Sequence, residues 1–344
     1  MNNQEESVEV SVVIPVYNVK KFLPHLFSNI NKQVYDNFEV IFIDDGSTDG
    51  SGQLLDKECE TNKKFKVIHQ NNFGTGYSRN VGIANSNGKY IFFMDPDDTM
   101  NNRLLLDNVK IIDEKNADIV VFGFNTINDQ GTILDSKRYT INQSKLNGYS
   151  VPKYFEELYR QLVFNTLWHK IIRKSFIVDN NVTSPLWSNS QDRGLLLKLA
   201  LHNPNIVFNF DDIAYYNYVL MRTGASTANF KKNLIDIGFN SASCVEDIVN
   251  KFGIVKTRKL AYEVYVRNIY GYAGMVNVLR GNGPNSFHQK VKYINQIYND
   301  NVFIKNAFSG VTSRNDLNLK QRLVIFCVKH KMTPLMLFLK SMRK

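Results

Sequence analysis

Cysteine is scarce in this chain. Three residues in 344, Cys59, Cys244 and Cys327, stand far apart. An odd, dispersed set with no paired metal-binding spacing excludes a disulfide frame from expectation and fits a reducing compartment. Long apolar runs are absent too. No stretch of about 18 apolar residues occurs, so no spanning helix is expected. The first ten residues, MNNQEESVEV, are polar and acidic and lack an apolar core segment, so no signal peptide is expected. These absences together predict a cytosolic protein. The six histidines are scattered; His69, His169 and His202 suggest no catalytic triad, and Gly74 and Gly76 are followed by no Gly-Lys-Ser/Thr, so there is no P-loop.

Acidic residues are in deficit, 32 against 42 Lys and Arg, for a formal charge of +10. The excess is local. From Arg314 to Lys344 eight Lys or Arg face one Asp, a net +7, which leaves +3 for all other residues. A nucleic-acid binder would spread its basic residues over the folded core, so no nucleic-acid partner is expected. A basic end interleaved with RLVIFCVKHK and PLMLFLKSMRK fits a helix lying on an anionic membrane surface. It also fits a terminal helix that packs its apolar side on the protein and leaves its lysines in water.

What the chain does contain is an alternation of strand and helix patterns. VEVSVVIPVYN (8–18), NFEVIFIDDGSTD (37–49), FKVIHQ (65–70), KYIFFM (89–94) and ADIVVFGF (117–124) are apolar runs rich in β-branched and aromatic residues. Between them lie helical spacings. Phe22, Leu26, Phe27 and Ile30 recur in VKKFLPHLFSNINKQ, with Pro24 in the first turn; Ser47 or Thr48 is placed to cap a helix towards Leu55; GTGYSRNVGIANSNG (74–88) and NRLLLDNVKIIDEKN (102–116) follow. Strands that are apolar throughout and alternate with helices predict a largely parallel sheet covered on both faces. TINDQGTILDS (126–136) reads as a hairpin, residues 151–179 as helical, and 206–218 as a late strand. From about Asn229 the patterns are helical only, including the aromatic stretch AYEVYVRNIYGYAGMVNVL (261–279). A boundary is expected near residue 228, giving a first domain over 1–228 and a helical C-terminal region over 229–344.

In such sheets ligands bind outside the carboxyl ends of the strands. Three polar clusters fall at those ends: Pro15-Val16-Tyr17-Asn18, Asp44-Asp45 and Asp95-Pro96-Asp97-Asp98. Carboxylates on one loop can share a hard divalent cation with a ligand's phosphates. Capping of the following helix would account for one of Asp97 and Asp98, but poorly for three aspartates together. The spacing alone therefore predicts one crevice built from three strand ends.

The ordered segments SVVIPVYN (11–18), FEVIFIDDGSTDGS (38–51), GTGYSRNVGI (74–83) and KYIFFMDPDDT (89–99) resemble the family 2 glycosyltransferases. LWHKIIRKSFI (167–177), SQDRGLLLKL (190–199) and YNYVLMRTGAS (216–226) resemble later family segments more weakly. The likeness spans about residues 8 to 228. It implies a GT-A fold: α/β, a mixed and mainly parallel sheet flanked by helices, here with a helical C-terminal extension. It also implies site roles. Pro15, Tyr17 and Asp45 match positions that hold the nucleotide base and ribose, and Arg79 matches a nucleotide-contacting arginine. Asp95 and Asp97 match the metal-binding pair for Mg²⁺ or Mn²⁺, Asp97 first, with Asp98 beside them. Arg222 and Ser226 resemble a segment that folds over the pyrophosphate. Asp192 matches the catalytic base, although the Glu-Asp pair usual there is Gln191-Asp192 in this chain, which puts the usual acceptor contact in doubt. Trp168 and Lys170 match the acceptor side, where Trp168 would either stack on a sugar or pack in the core.

The implied activity is inverting transfer of a monosaccharide from a nucleoside diphosphate, UDP first, to a hydroxyl of a glycan or lipid-linked precursor. Bacterial capsule, exopolysaccharide and teichoic-acid transferases are the members it resembles. The expected place is the cytoplasm, peripheral at the inner face of the cell membrane. The alternative is a non-catalytic nucleotide-sugar-binding subunit that supports a partner transferase.

Overall fold

The structure is a computed structural model that describes residues 8–139, 148–220, 230, 233–254, 277–279, 283–300, 326–327, 330 and 332–341. The chain divides into two compact units, Met1–Thr223 and Gly224–Lys344.

In the first unit the apolar runs become strands. β1 (Val10–Val16), β2 (Phe38–Asp44), β3 (Phe65–His69) and β4 (Tyr90–Phe93) alternate with α1 (Leu23–Ile30), α2 (Ser51–Thr61) and α3 (Thr75–Ala84). β1 lies between β2 and β4 in parallel register, Val16 beside Asp44 and Val13 beside Phe93, so the ends of these strands open on one edge. β3 continues the sheet with His69 beside Asp44. Being buried on both faces, β1 and β4 have no polar alternation, as a covered parallel sheet requires. Phe27 of α1 packs edge-on against Phe42, and Phe42 against Phe65, which closes one face of the core. Each such fully buried side chain contributes on the order of 1.5–3 kcal/mol.

Beyond β4 come β5 (Thr99–Met100), α4 (Leu104–Glu114), β6 (Ile119–Val121), β7 (Phe124–Ile127), β8 (Ile133–Lys137), α5 (Val151–Arg160), β9 (Lys170–Arg173), α6 (Lys174–Asp179), α7 (Gln191–Ala200), β10 (Ile206–Phe208) and β11 (Tyr216–Val219). The main sheet has the order β10-β6-β9-β4-β1-β2-β3, and a smaller sheet the order β5-β11-β7-β8. β9 runs antiparallel between β4 and β6; its neighbours in the sheet otherwise share one direction. The β7–β8 hairpin turns at Asn128, whose side chain accepts from the Gln130 and Thr132 amides, in line with the expected hairpin.

Three expectations are corrected. Residues 151–179 are not one helical stretch, because Lys170–Arg173 is a central strand; four residues bounded by helix-like spacing carry too few periods to distinguish the two. The late strand is two, β10 and β11, in different sheets. Neither Ser47 nor Thr48 caps α2: the helix starts at Ser51, and Asp49 accepts from the Ser51 amide at 2.9 Å.

In the second unit the described elements are helical, α8 (Leu234–Lys251), a short turn at Asn277–Leu279, and helices Phe287–Asp300 and Thr333–Ser341. Thr333 Oγ1 donates to Asn295 Oδ1 at 2.6 Å, tying the last two helices. No helix among the described residues is long and apolar enough to cross a membrane.

Candidate functional site

The crevice is assembled by loops leaving β1, β2, β3 and β4 on one edge. After β1, Asn18 adopts a left-handed backbone (φ 51°), and its Oδ1 accepts from the Thr48 amide at 2.8 Å while its own amide donates to Ser47 Oγ at 3.1 Å. That lacing sets Tyr17 at the mouth, about half exposed, beside half-buried Pro15. Asp45 turns inward and is 4% exposed. It accepts from the amides of Phe73 and Gly74, each at 2.8 Å, and from Gln70 Nε2 at 2.7 Å. Three donors from its own chain make Asp45 the anchor of the 70–74 loop that starts α3. Next to it, Asp44 accepts from the Ser47 amide and meets His69 Nδ1 at 2.9 Å.

α3 brings Arg79 into the centre. The helix approaches β1 through Gly82, where a Cβ would stand 2.2 Å from Val13 Cγ1. Arg79 is buried, so it is no surface arginine. Its Nη1 lies 2.6 Å from Asp192 Oδ1 and its Nη2 3.8 Å from Asp95 Oδ1. One guanidinium thus spans the expected base and one of the expected metal-facing aspartates. The short contact is an ion pair without aligned hydrogen-bond geometry.

The three aspartates after β4 divide in role. Asp98 is 1% exposed and turns into the protein, accepting from Tyr216 Oη and the Val219 amide, each at 2.8 Å. Burial first, then the charges of Asp95 and Asp97, push its carboxyl well above the usual range. Burial and the Asp98 and Asp95 charges raise the Tyr216 phenol likewise. The same Tyr216 hydroxyl accepts from the Asp95 amide at 3.2 Å, so β11 holds both ends of the loop. Asp95 and Asp97 stay partly open to solvent. None of the three caps α4, whose start is held by Asn101 accepting from the Arg103 amide.

Asp192 lies in the first turn of α7, after Ser190 in a left-handed backbone. It does not cap its own helix: Oδ2 accepts from the Leu167 amide at 3.0 Å, across the chain. Gln191 donates to the Trp187 carbonyl, so its amide is committed to the loop before α7. Trp168 takes the core-packing alternative, and the acceptor-side expectation for Lys170 is not met. Trp168 is 5% exposed and lies parallel to the rings of Tyr216 and Tyr218, at 5.0 and 5.2 Å, in the core. Lys170 is wholly enclosed. Arg222 and Ser226 lie outside the described residues. The residues missed from sequence are Tyr216 and His69; the paired tyrosines of YNYV signal a buried strand face, but nothing local marks their reach to Asp98.

Among the described residues no group of three or more His, Cys, Asp or Glu is placed to hold an ion unaided. The donor chemistry at Asp95 and Asp97 nevertheless fits a hard cation shared with a ligand's phosphates. Three carboxylates crowd a loop where Asp98 is already pushed towards its neutral form, and a cation beside Asp95 and Asp97 would offset that charge.

The chain is similar to known proteins in sequence and in fold. The family described as Glycosyl transferase family 2 matches residues 11–177. Residues 11–177 are thus a glycosyltransferase family 2 domain. The fold of the chain is the GT-A fold of Staphylococcus aureus TarS 1–349, solved with UDP-GlcNAc, which it matches with a TM-score of 0.66 at 20% identity over 94% of this chain and 88% of that one. In sequence it is 28% identical over 220 residues to the poly(ribitol-phosphate) beta-N-acetylglucosaminyltransferase TarS of S. aureus, covering 63% of this chain and 36% of that one. It is 38% identical over 113 residues to the glycosyltransferase GlyG of Streptococcus pneumoniae, 33% of this chain and 38% of that one. The chain thus spans little more than a third of the length of these two curated relatives.

Proposed function

We propose that this protein is an inverting glycosyltransferase that moves a monosaccharide from a UDP-sugar to a hydroxyl of a cell-surface glycan or lipid-linked precursor. The observation that carries this reading is Arg79 between Asp192 and Asp95. It sets a carboxylate suited to take a proton opposite the acidic loop suited to face a diphosphate. In the reaction the acceptor oxygen forms its bond to the anomeric carbon as the bond to the departing UDP breaks. The acceptor proton passes to Asp192, an ionised carboxylate acting as general base. Leu167 pins Oδ2, which leaves Oδ1, now on Arg79, as the oxygen that receives the proton. Tyr17 and Pro15 are assigned to the base and ribose end, with Asp45 holding the 70–74 loop beside them, and Arg222 and Ser226 are assigned to the pyrophosphate. Mg²⁺ or Mn²⁺ held by Asp95 and Asp97 would offset charge on the departing diphosphate.

The likeness to TarS, a poly(ribitol-phosphate) beta-N-acetylglucosaminyltransferase solved with UDP-GlcNAc, supports a polymer of that kind as acceptor and UDP-GlcNAc as the first donor to try. Residues 1–228 are read as the catalytic domain and 229–344 as a helical region for acceptor or membrane association. Exposed Phe326, Leu335 and Phe338 in the basic end support peripheral binding at the inner face of the cell membrane.

The test is a thermal-shift screen of nucleotide sugars with and without Mn²⁺, followed by UDP release from UDP-GlcNAc. Asp192→Asn should still bind UDP but lose roughly 10²–10⁴-fold in turnover. A wild type that binds UDP and turns over no donor with any acceptor would favour the supporting-subunit reading. Stabilisation by UDP that ignores Mn²⁺ would remove the metal role of Asp95 and Asp97.

A further inference from the structure

Behind Asp192 stands a buried polar cluster that the reaction above does not use. Lys170, the first residue of β9, pairs with Val121 in the middle of the main sheet. Its Nζ donates to the Thr166 carbonyl at 2.6 Å and lies 2.8 Å from His169 Nε2. His169 Nδ1 lies 2.8 Å from Thr166 Oγ1. A neutral imidazole satisfies both contacts, Nε2 accepting from the amine and Nδ1–H donating to the hydroxyl. Burial, the Lys170 charge and that of Lys137 hold His169 well below the usual imidazole range, in keeping with that form. Burial also holds the Lys170 amine well below its usual range, opposed by the charge of Asp192.

Enclosing an amine in a sheet whose next two residues, Ile171 and Ile172, are fully buried costs free energy that an aliphatic side chain would not. The amine's contacts show what that cost accompanies. The Lys170 amide also donates to the Leu167 carbonyl at 3.1 Å, so backbone and side chain together close the turn Thr166–Lys170. The Leu167 amide of that turn is the donor that holds Asp192 Oδ2. We propose that Lys170 is a positioning residue: it locks the Thr166–Lys170 turn so that one oxygen of Asp192 is pinned by the Leu167 amide while the other meets Arg79. This rests on the reading of Asp192 as the base.

The test substitutes Lys170→Met, which keeps length and apolar volume but removes the donor. UDP release from UDP-GlcNAc with Mn²⁺ is measured for wild type, Lys170→Met, Asp192→Asn and the double variant, with UDP binding followed by thermal shift. The expected result is a fall in kcat of roughly ten- to a hundredfold, as for a base displaced by a fraction of an ångström. KM for UDP-GlcNAc and the UDP-induced shift should hold, and the loss should vanish in the Asp192→Asn background. A loss that multiplies in the double variant, or that falls on KM, overturns the proposal. Thr166→Val, which removes only the hydroxyl partner of His169, serves if Lys170→Met does not fold. It should lower kcat several-fold and likewise do nothing without Asp192, and an unchanged kcat overturns the proposal. An active wild type with an unaffected Lys170→Met overturns the positioning role alone; a wild type inactive with every donor overturns the transferase reading and this role with it.

Discussion

At the scale of single residues, this crevice is governed by carboxylates and by what their own chain does with them. Asp45 spends its acceptors on a loop, Asp98 is folded inward on Tyr216, and Asp44 is tied to His69. His69 is the imidazole of this group. It bridges Asp44 and, through Nε2 at 2.9 Å, Asp56 of α2, and these two hydrogen bonds, Asp56 first, raise it above the usual imidazole value. A group whose pKa is raised by folding adds stability in full below its unfolded value and loses it as pH rises through the folded one. The wild type should therefore lose melting temperature from the ordinary imidazole pKa upward, and His69→Gln should flatten that slope. Melting curves in buffers from mildly acidic to mildly alkaline check this; parallel slopes would remove His69 from the account. Half of the His69 side chain is exposed, so solvent screens the pair and the difference should be a few degrees at most.

At the scale of elements, the distance between α3 and β1 decides where Arg79 stands. The pair approaches so closely that Gly82 has room for no methyl group beside Val13. Gly82→Ala should cost about 1–3 kcal/mol by overpacking, roughly 2–4 °C of melting temperature per kcal/mol in a unit of this size. Because α3 also carries Arg79, affinity for UDP should fall with it, as calorimetry would show; a variant as stable and as tight-binding as wild type would refute the close-approach argument. The elements legible in sequence were those with their own signal. β1, β2 and β4 are apolar β-branched or aromatic runs of four or more residues, and α1 has its heptad-like face. β9 was not legible, since its identity as a strand comes from β4 and β6, each distant in sequence, and a lysine at its first position argues against burial until the Thr166 carbonyl and His169 are in place.

At the scale of the whole molecule, the chain joins a crevice-bearing unit to a second unit whose described elements are helical and whose sequence ends in a basic stretch. If that end lies on an anionic surface, the full chain should co-sediment with phosphatidylserine vesicles at low salt. Each Lys or Arg near such a surface is worth about 1 kcal/mol. Removing residues 314–344 should abolish this while UDP binding by the shortened chain persists; equal retention of both proteins, or none by either, would favour simple packing of the terminal helix. Much of the site could be read in order along the chain, because PVYN, IDDGSTD and MDPDDT mark strand ends and a parallel sheet brings its carboxyl ends to one edge. What the linear pattern determined was thus the fold class, the edge on which the crevice opens, and the acidic residues that line it. Only the tertiary structure decided which of those residues face the crevice and which are consumed by the protein itself: Asp98 inward, Trp168 and Lys170 in the core, and Arg79 between Asp95 and Asp192. Those outcomes depend on partners 25 to more than 100 residues away, Leu167 for Asp192 and Tyr216 for Asp98, and a local pattern carries no information about them.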